Sequence, residues 1–274
     1  MTTEAATMQV RPRFYTLPMA FIQPFMAMME RDLRVLRRDL VAFLARTAMQ
    51  PFLFVFVFTY VQPKIGAGAP GFQDVLVPGL IASTVIFQGI QAVAIPLVME
   101  FSQTREIEDR VMAPLPVWGI AAQKMTFAFL QSLLVVLVVL PLVYIVPVHT
   151  PHLRVSPLVL VTIIPLGALL SASMGLLIGT AVNPRQITLV FALIVMPLTF
   201  LGAVYYAWSQ LEAIRWLQVI TLLNPLVYLS EGLRGALTPQ YGHMNYVAVY
   251  AGLMVCCVAC TWGGIHMFAK RVLS

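Results

Sequence analysis

The chain has 274 residues, 60% of them hydrophobic and 10% charged, whereas soluble globular domains are about 25% charged. This composition excludes a soluble domain and a disordered chain, and three cysteines are too few for a disulfide scaffold. The net charge of +6, spread thinly over so apolar a chain, points to membrane topology rather than to nucleic-acid binding.

In chain order, the first 16 residues are polar, carry Arg11 and Arg13, and have no apolar core followed by a small-residue cleavage site. They read as a retained tail and not as a signal peptide. Between Met19 and Ala45 the pattern is amphipathic: Arg31, Arg34 and Arg38, with Arg37 beside them, form a basic side, while Leu33, Leu36, Leu40 and Leu44 recur on another. Such a helix lies in the membrane interface, its arginines toward lipid phosphates. It serves either as a topology anchor or as a lever moved by a cytoplasmic partner.

Uncharged stretches long enough to cross about 30 Å of hydrocarbon then define the spans. The first runs from Val41 to Gln62, with Arg46 snorkelling back to the interface. Its Phe52, Phe54, Phe56, Phe58 and Tyr60 fall at every second position, the period of a strand. The bilayer overrules that period, because an isolated strand leaves its backbone groups unpaired in hydrocarbon and a helix does not. The rings, Phe56 and Tyr60 among them, then face lipid or form part of a substrate wall. The second span runs from Val75 to Met99. The loop after it concentrates Glu100, Arg105, Glu106, Glu108, Asp109 and Arg110 ahead of Pro114 and Pro116. Its mixed signs suit a protein-docking helix or a solvated loop.

The third and fourth spans are Met125 to Val148, fenced by Lys124, and Val155 to Asn183. The fifth is Gln186 to Leu211, with Tyr205, Tyr206 and Trp208 near its outer end, where such rings form an interfacial belt or stack on sugars. The uncharged stretch from Trp216 to Ser230 has 15 residues, too few for a span. Broken by Asn224-Pro225, it predicts two half-helices re-entering the outer leaflet, followed by Glu231 and Arg234 at pairing distance i, i+3. The sixth span is Tyr246 to Ala269, closed by Lys270 and Arg271.

The predicted fold is an all-α integral membrane protein and a single domain, 1–274. Residues 1–40 form the tail and interfacial helix, 41–269 the six-span bundle, and 270–274 a cytoplasmic end. Thirteen of the 17 Lys and Arg fall on the side of the termini and four on the other, which puts both termini in the cytoplasm.

Catalytic and cofactor chemistry finds no support in the sequence. A phosphate-binding loop requires Lys after Gly, and the lysines here follow Pro63, Gln123 and Ala269. No Gly-flanked serine elbow, no HExxH and no carboxylate pair occurs in a span. The spans hold no Asp, Glu, Lys or Arg away from their ends and only His266 lies within one, near the end of the sixth, which weighs against an ion-coupled carrier. Cys256, Cys257 and Cys260 lack the partners of a metal site and read as packing residues. No cofactor is expected.

The order of these elements resembles the membrane subunit of ABC-2 type exporters. Arg105-Glu106-Ile107-Glu108-Asp109-Arg110 through Ala113-Pro114-Leu115-Pro116 is similar to the coupling-helix signature of that family. Asn224-Pro225-Leu226, followed by Glu231 and Arg234, resembles its outer-leaflet motif. Within the family the chain looks most like lipo-oligosaccharide (nodulation-factor) and daunorubicin-type drug exporter permeases, with polysaccharide permeases further off. The resemblance implies a permease in the cytoplasmic (inner) membrane, working as a homodimer with two copies of a separate ATPase. Amphipathic or lipid-linked cargo would move outward. Arg105, Glu106, Glu108, Asp109 and Arg110 would dock in a cleft of the ATPase, with Val111 and Leu115 as apolar anchors. A stand-alone carrier and a non-transporting membrane scaffold are the competing functions.

Overall fold

The computed structural model describes residues 17–66, 71–101, 115–147 and 153–273. The charged loop with Arg105, Glu106, Glu108, Asp109, Arg110 and Val111 lies outside the described residues. Among the described residues there is helix and no strand, as the bilayer argument requires.

Helix α1 is Leu17–Arg38, with Arg37 and Arg38 in its last turn, where cations complement the helix dipole. The axis breaks at Asp39, and α2 follows as Leu40–Lys64. Leu40 and Leu44, predicted on the amphipathic helix, therefore belong to the membrane helix, where they pack against the main core. Leu36 of α1 packs there too, while Leu33 remains exposed. A π-turn over Phe56–Val61 widens α2. The alternating rings resolve into two stripes, Phe52, Phe56 and Tyr60 on one and Phe54 and Phe58 on the other, each stacked at i, i+4.

Helix α3, Phe72–Met99, is the centre of the bundle and is buried along most of its length. It packs most closely against α5, Pro157–Ala181. A Cβ at Gly175 would come within 2.8 Å of the Gly89 carbonyl oxygen, and one at Gly179 within 2.9 Å of the Ala94 Cα. The Gly-x-x-x-Gly spacing thus brings two helices of one chain together, as small residues do in membranes.

Helix α4, Val117–Ile145, begins well before the predicted start at Met125. Lys124 is therefore inside the helix and no boundary at all: it is 7% exposed and paired with buried Glu100. An ion pair relieves the desolvation cost that makes a lone buried lysine improbable.

The predicted fifth span is shorter than the continuous helix expected over Gln186–Leu211. Helix α6 covers 187–200 with a π-turn at Phe191–Val195, and turns replace it from Leu201. Gly202 lies so close to Leu226 that a Cβ there would approach within 2.4 Å, and the Asn224 amide donates to the Leu198 carbonyl at 2.7 Å. Ala203, at φ 52°, carries the chain off the helix axis. Among the described residues five helices are long and apolar enough to cross a membrane, and Phe191–Phe200 is a shorter apolar helix.

Helices α7, Arg215–Thr221, and α8, Pro225–Leu237, are separated where the Asn-Pro pair predicted a break. Asn224 Oδ1 accepts from the Leu226 amide at 3.0 Å, and Pro225 takes the first helical position, where a missing N–H costs nothing. The last helix, α9, is Tyr246–Leu273. Its cysteines are free thiols, with Cys257 buried in the main core and Cys256 and Cys260 packed against it.

Candidate functional site

Three structures follow one another along the bundle, beginning with a clasp at the end carrying α1 and the charged loop. Lys124 Nζ of α4 lies 2.7 Å and 2.6 Å from the two carboxylate oxygens of Glu100, at the end of α3. One residue on, Phe101 lies under the Arg271 guanidinium at 4.5 Å. Arg271 donates to the carbonyls of Gly179, Thr180 and Val182, satisfying the end of α5 where carbonyls lack helical partners. Gln123 donates to Asp32 of α1 at 2.9 Å, and the rings of Phe21 and Trp118 stack at 5.2 Å. Leu115 is 7% exposed and belongs to an apolar cluster with Leu97, Ile120 and Phe268. Both stems of loop 102–114 are thereby fixed.

On α1 itself, Arg31, Arg34 and Arg38 line one shallow hollow together with Val35. Arg34 pairs with Glu30 at 2.6 Å in solvent, an exposed i, i+4 pair of little energetic weight. Arg37 closes the helix in its last turn.

At the other end is a knot around Glu231 and Arg234, both 0% exposed and paired with each other. Arg234 Nη2 donates to the carbonyls of Val75 at 3.2 Å, Ala203 at 2.9 Å and Tyr206 at 3.2 Å. Glu231 accepts from the backbone amides of Trp208 and Met244, each at 2.9 Å. Two side chains of α8 thus bind the start of α3, the turns after α6 and the approach to α9. Trp208 adds an indole donor to the Gln218 carbonyl at 3.1 Å.

Between clasp and knot lies a groove walled by α2, α3 and α4. It consists of two cavities of about 450 Å³ and 350 Å³ that share Phe43, Arg46, Pro96, Phe127 and Gln131. The larger is lined by Gln50, Gln88, Gln91 and Gln131 with hydroxyls such as Thr47 and Ser83. The smaller reaches the clasp, with Asp39, Glu100 and Lys124 in its wall. Thr47 donates to Gln88 at 3.3 Å. Ser83 and Thr84 donate back to the Leu80 carbonyl, as hydroxyls in apolar helices do.

The family described as ABC-2 type transporter matches residues 23–238, which spans α1 through α8. The chain belongs to the ABC-2 type transporter family. It is 33% identical over 165 residues to the inner membrane transport permease YadH of Escherichia coli (strain K12), a stretch covering 60% of this chain and 62% of the relative. The YadH proteins of Escherichia coli O157:H7 and Shigella flexneri match to the same extent. The aligned stretch is thus less than two thirds of these relatives' length. With five long apolar helices among its described residues, this ABC-2 permease is a multi-pass membrane protein.

Of the aromatic residues predicted to line a path through the ABC-2 permease, Tyr205 alone reaches the groove, together with Phe54. Tyr205 sits among Phe54, Phe58 and Phe200 at ring distances of 6.2, 6.4 and 5.8 Å. Phe56 and Tyr60 stack on each other along the outward stripe of α2, with Lys64 over Tyr60. They are half-exposed and do not line the groove, because the helical period turns them away from the stripe of Phe54 and Phe58. Tyr206 and Trp208 belong to the knot. The groove's glutamines went unremarked in the sequence, although Thr47, Gln50 and Phe54, and likewise Phe87, Gln88 and Gln91, recur at helical spacing within apolar helices. Polar uncharged residues on one face of a span are the signal that finds them.

Proposed function

We propose that this ABC-2 permease is the membrane subunit of an ATP-driven exporter in the cytoplasmic membrane. It pairs as a homodimer with two copies of a separate cytoplasmic ATPase and moves an amphipathic or lipid-linked substrate outward. The observation that carries this reading is the clasp. Loop 102–114 holds the densest mixed charge after α1, and its stems are tied to α3, α4, α5, α9 and α1. Force delivered at residues 101 and 115 reaches the walls of the groove through these contacts. Glu106, Glu108 and Asp109 dock to the ATPase with Arg105 and Arg110, and Val111 supplies an apolar contact. Leu115 roots the loop in the permease.

The topology is six passes with both termini in the cytoplasm, supported by thirteen basic residues against four. Helical residues 184–200 rise about 25 Å at 1.5 Å per residue, close to a bilayer core, and complete the fifth pass. Helices α7 and α8 re-enter the outer leaflet, their broken backbone shielded by the knot.

Co-purification tests the coupling. The tagged permease is expected to retain a cytoplasmic ATPase through membrane extraction, and Glu108→Arg to release it while leaving the permease folded. A permease that never retains an ATPase, with export unchanged in Glu108→Arg, contradicts the reading. Transport into proteoliposomes driven by an ion gradient alone establishes a secondary carrier instead.

A further inference from the structure

The groove contains hydrogen-bonding groups that the fold itself does not use. Gln131 is 8% exposed, lines both cavities, and its amide makes no hydrogen bond among the described residues. Gln91, half-buried, and Gln50, exposed, line the larger cavity and likewise make no side-chain hydrogen bond among the described residues. A primary amide offers two donors and two acceptor lone pairs, and withdrawing it from water without a partner costs about 1–3 kcal/mol. Three such amides from three different helices, converging on one cavity, are placed for a ligand rather than for packing. Gln88 differs, because Thr47 engages it.

The charges sort themselves in the same way. Toward the clasp, Glu100 is neutralised by Lys124, and Asp32 is held by Gln123. Arg31 has a partner of its own. Two charged side chains of the wall make no ion pair among the described residues: Asp39, at the α1–α2 break, and Arg46, where the two cavities meet. They lie seven residues apart, Asp39 just before α2 and Arg46 within it. Arg46, itself exposed, is thus the unpaired positive charge of the wall next to the amides, with Asp39 seven residues before it.

We propose that the groove is a binding site for the head of a phosphorylated amphiphile, its phosphate at Arg46 and its neutral hydroxyl-rich portion against Gln50, Gln91 and Gln131. The phosphate gains a charge-assisted hydrogen bond from a guanidinium, the group best shaped to receive it. The sugar-like portion exchanges its water for amides that already stand unpartnered. The alkyl chain leaves along exposed Ile95 and the open side of α2, where lipid accepts it. That the occupied groove serves export rests on the reading above, whereas occupancy itself requires no ATPase.

The test is equilibrium binding to the purified full-length permease in phosphatidylcholine nanodiscs, with three fluorescent probes: dodecyl glucoside, dodecyl phosphate and dodecyl glucosyl phosphate. The last is expected to bind tightest. Arg46→Gln weakens the two phosphate probes about tenfold, the loss of one charge-assisted hydrogen bond, and leaves the glucoside unchanged. Gln131→Met, close in volume, weakens the two glucosyl probes about fivefold and spares dodecyl phosphate. Gln91→Leu repeats the pattern on another helix should Gln131→Met unfold. Competition with phosphatidylglycerol distinguishes an annular lipid phosphate from a cargo phosphate: a cargo site keeps the glucosyl phosphate bound at equal lipid. Equal affinity for all three probes, or displacement by phosphatidylglycerol with no effect of Gln131→Met, overturns the proposal. Selective binding by a permease that pairs with no ATPase leaves the site standing and removes only the export reading.

Discussion

Clasp and knot each rest on a buried acid–base pair, yet they are built differently. Glu231 and Arg234 stand one turn apart on α8, are wholly buried, and bind backbone groups from three other segments. Glu100 and Lys124 come from different helices, retain slight exposure, and bracket a loop. The first arrangement fixes irregular backbone where no water can satisfy it. The second joins two helices near their ends, so that a displacement of one is passed to the other. A buried ion pair inside one helix makes a frame, and one between two helices makes a joint.

Removing half of the frame is expected to have the largest effect. Arg234→Met leaves Glu231 charged and unpaired and frees three carbonyls, a loss of about 3–5 kcal/mol read as collapse of membrane-inserted yield and of thermal stability. The double exchange Glu231→Met with Arg234→Met is not expected to recover, because the amides of Trp208 and Met244 remain without acceptors. Recovery of the double variant contradicts the knot's role as a backbone anchor.

The joint should respond differently. Lys124→Met is expected to cost about 3 kcal/mol by leaving Glu100 alone. Glu100→Gln with Lys124→Gln removes both charges and restores stability within about 1 kcal/mol. Transport in the double variant should remain low, because the neutral pair joins α3 to α4 less firmly. Full transport there shows that the clasp does not carry force.

Gly175→Val places a side chain against the Gly89 carbonyl, and overpacking of this kind costs about 1–3 kcal/mol. Thermal unfolding in detergent checks it, and an unshifted transition contradicts the close α3–α5 approach. The smallest effect belongs to Tyr241, which donates to Asp74 at 2.7 Å beside the knot. The hydrogen bond to that carboxylate holds the Tyr241 phenol above its usual pKa. The folded state therefore keeps the proton more firmly than the unfolded one. This increment is present below about pH 10 and is lost as pH rises through the raised value. Tyr241→Phe should flatten that part of the pH–stability profile, and an unchanged profile excludes the bond's contribution.

Much of the fold was legible because hydrocarbon enforces simple rules. The four spans now seen as α2, α3, α5 and α9 were bounded by charges, and the Asn-Pro break and the i, i+3 pair were visible as local signals. Lys124 misled because a fence and a buried partner look alike until Glu100, 24 residues earlier, is brought beside it. The fifth span was overextended because apolar composition continues through Leu201 to Ala207, whereas its backbone is set by Asn224 and Leu226 from a later segment. The site was less legible. Aromatic residues attract notice in a sequence, but of Phe56, Tyr60, Tyr205, Tyr206 and Trp208 only Tyr205 lines the groove. The glutamines pass as isolated polar residues until three helices assemble around one cavity.

In the proposed coupling an ATPase grips residues 102–114 and drives cargo through this permease. It is tested most directly by ATP-dependent movement of dodecyl glucosyl phosphate across proteoliposomes containing permease and ATPase. Transport that requires ATP and falls to background in Glu108→Arg, while probe binding persists, is the expected result. Transport undiminished without the ATPase, or in Glu108→Arg, contradicts it.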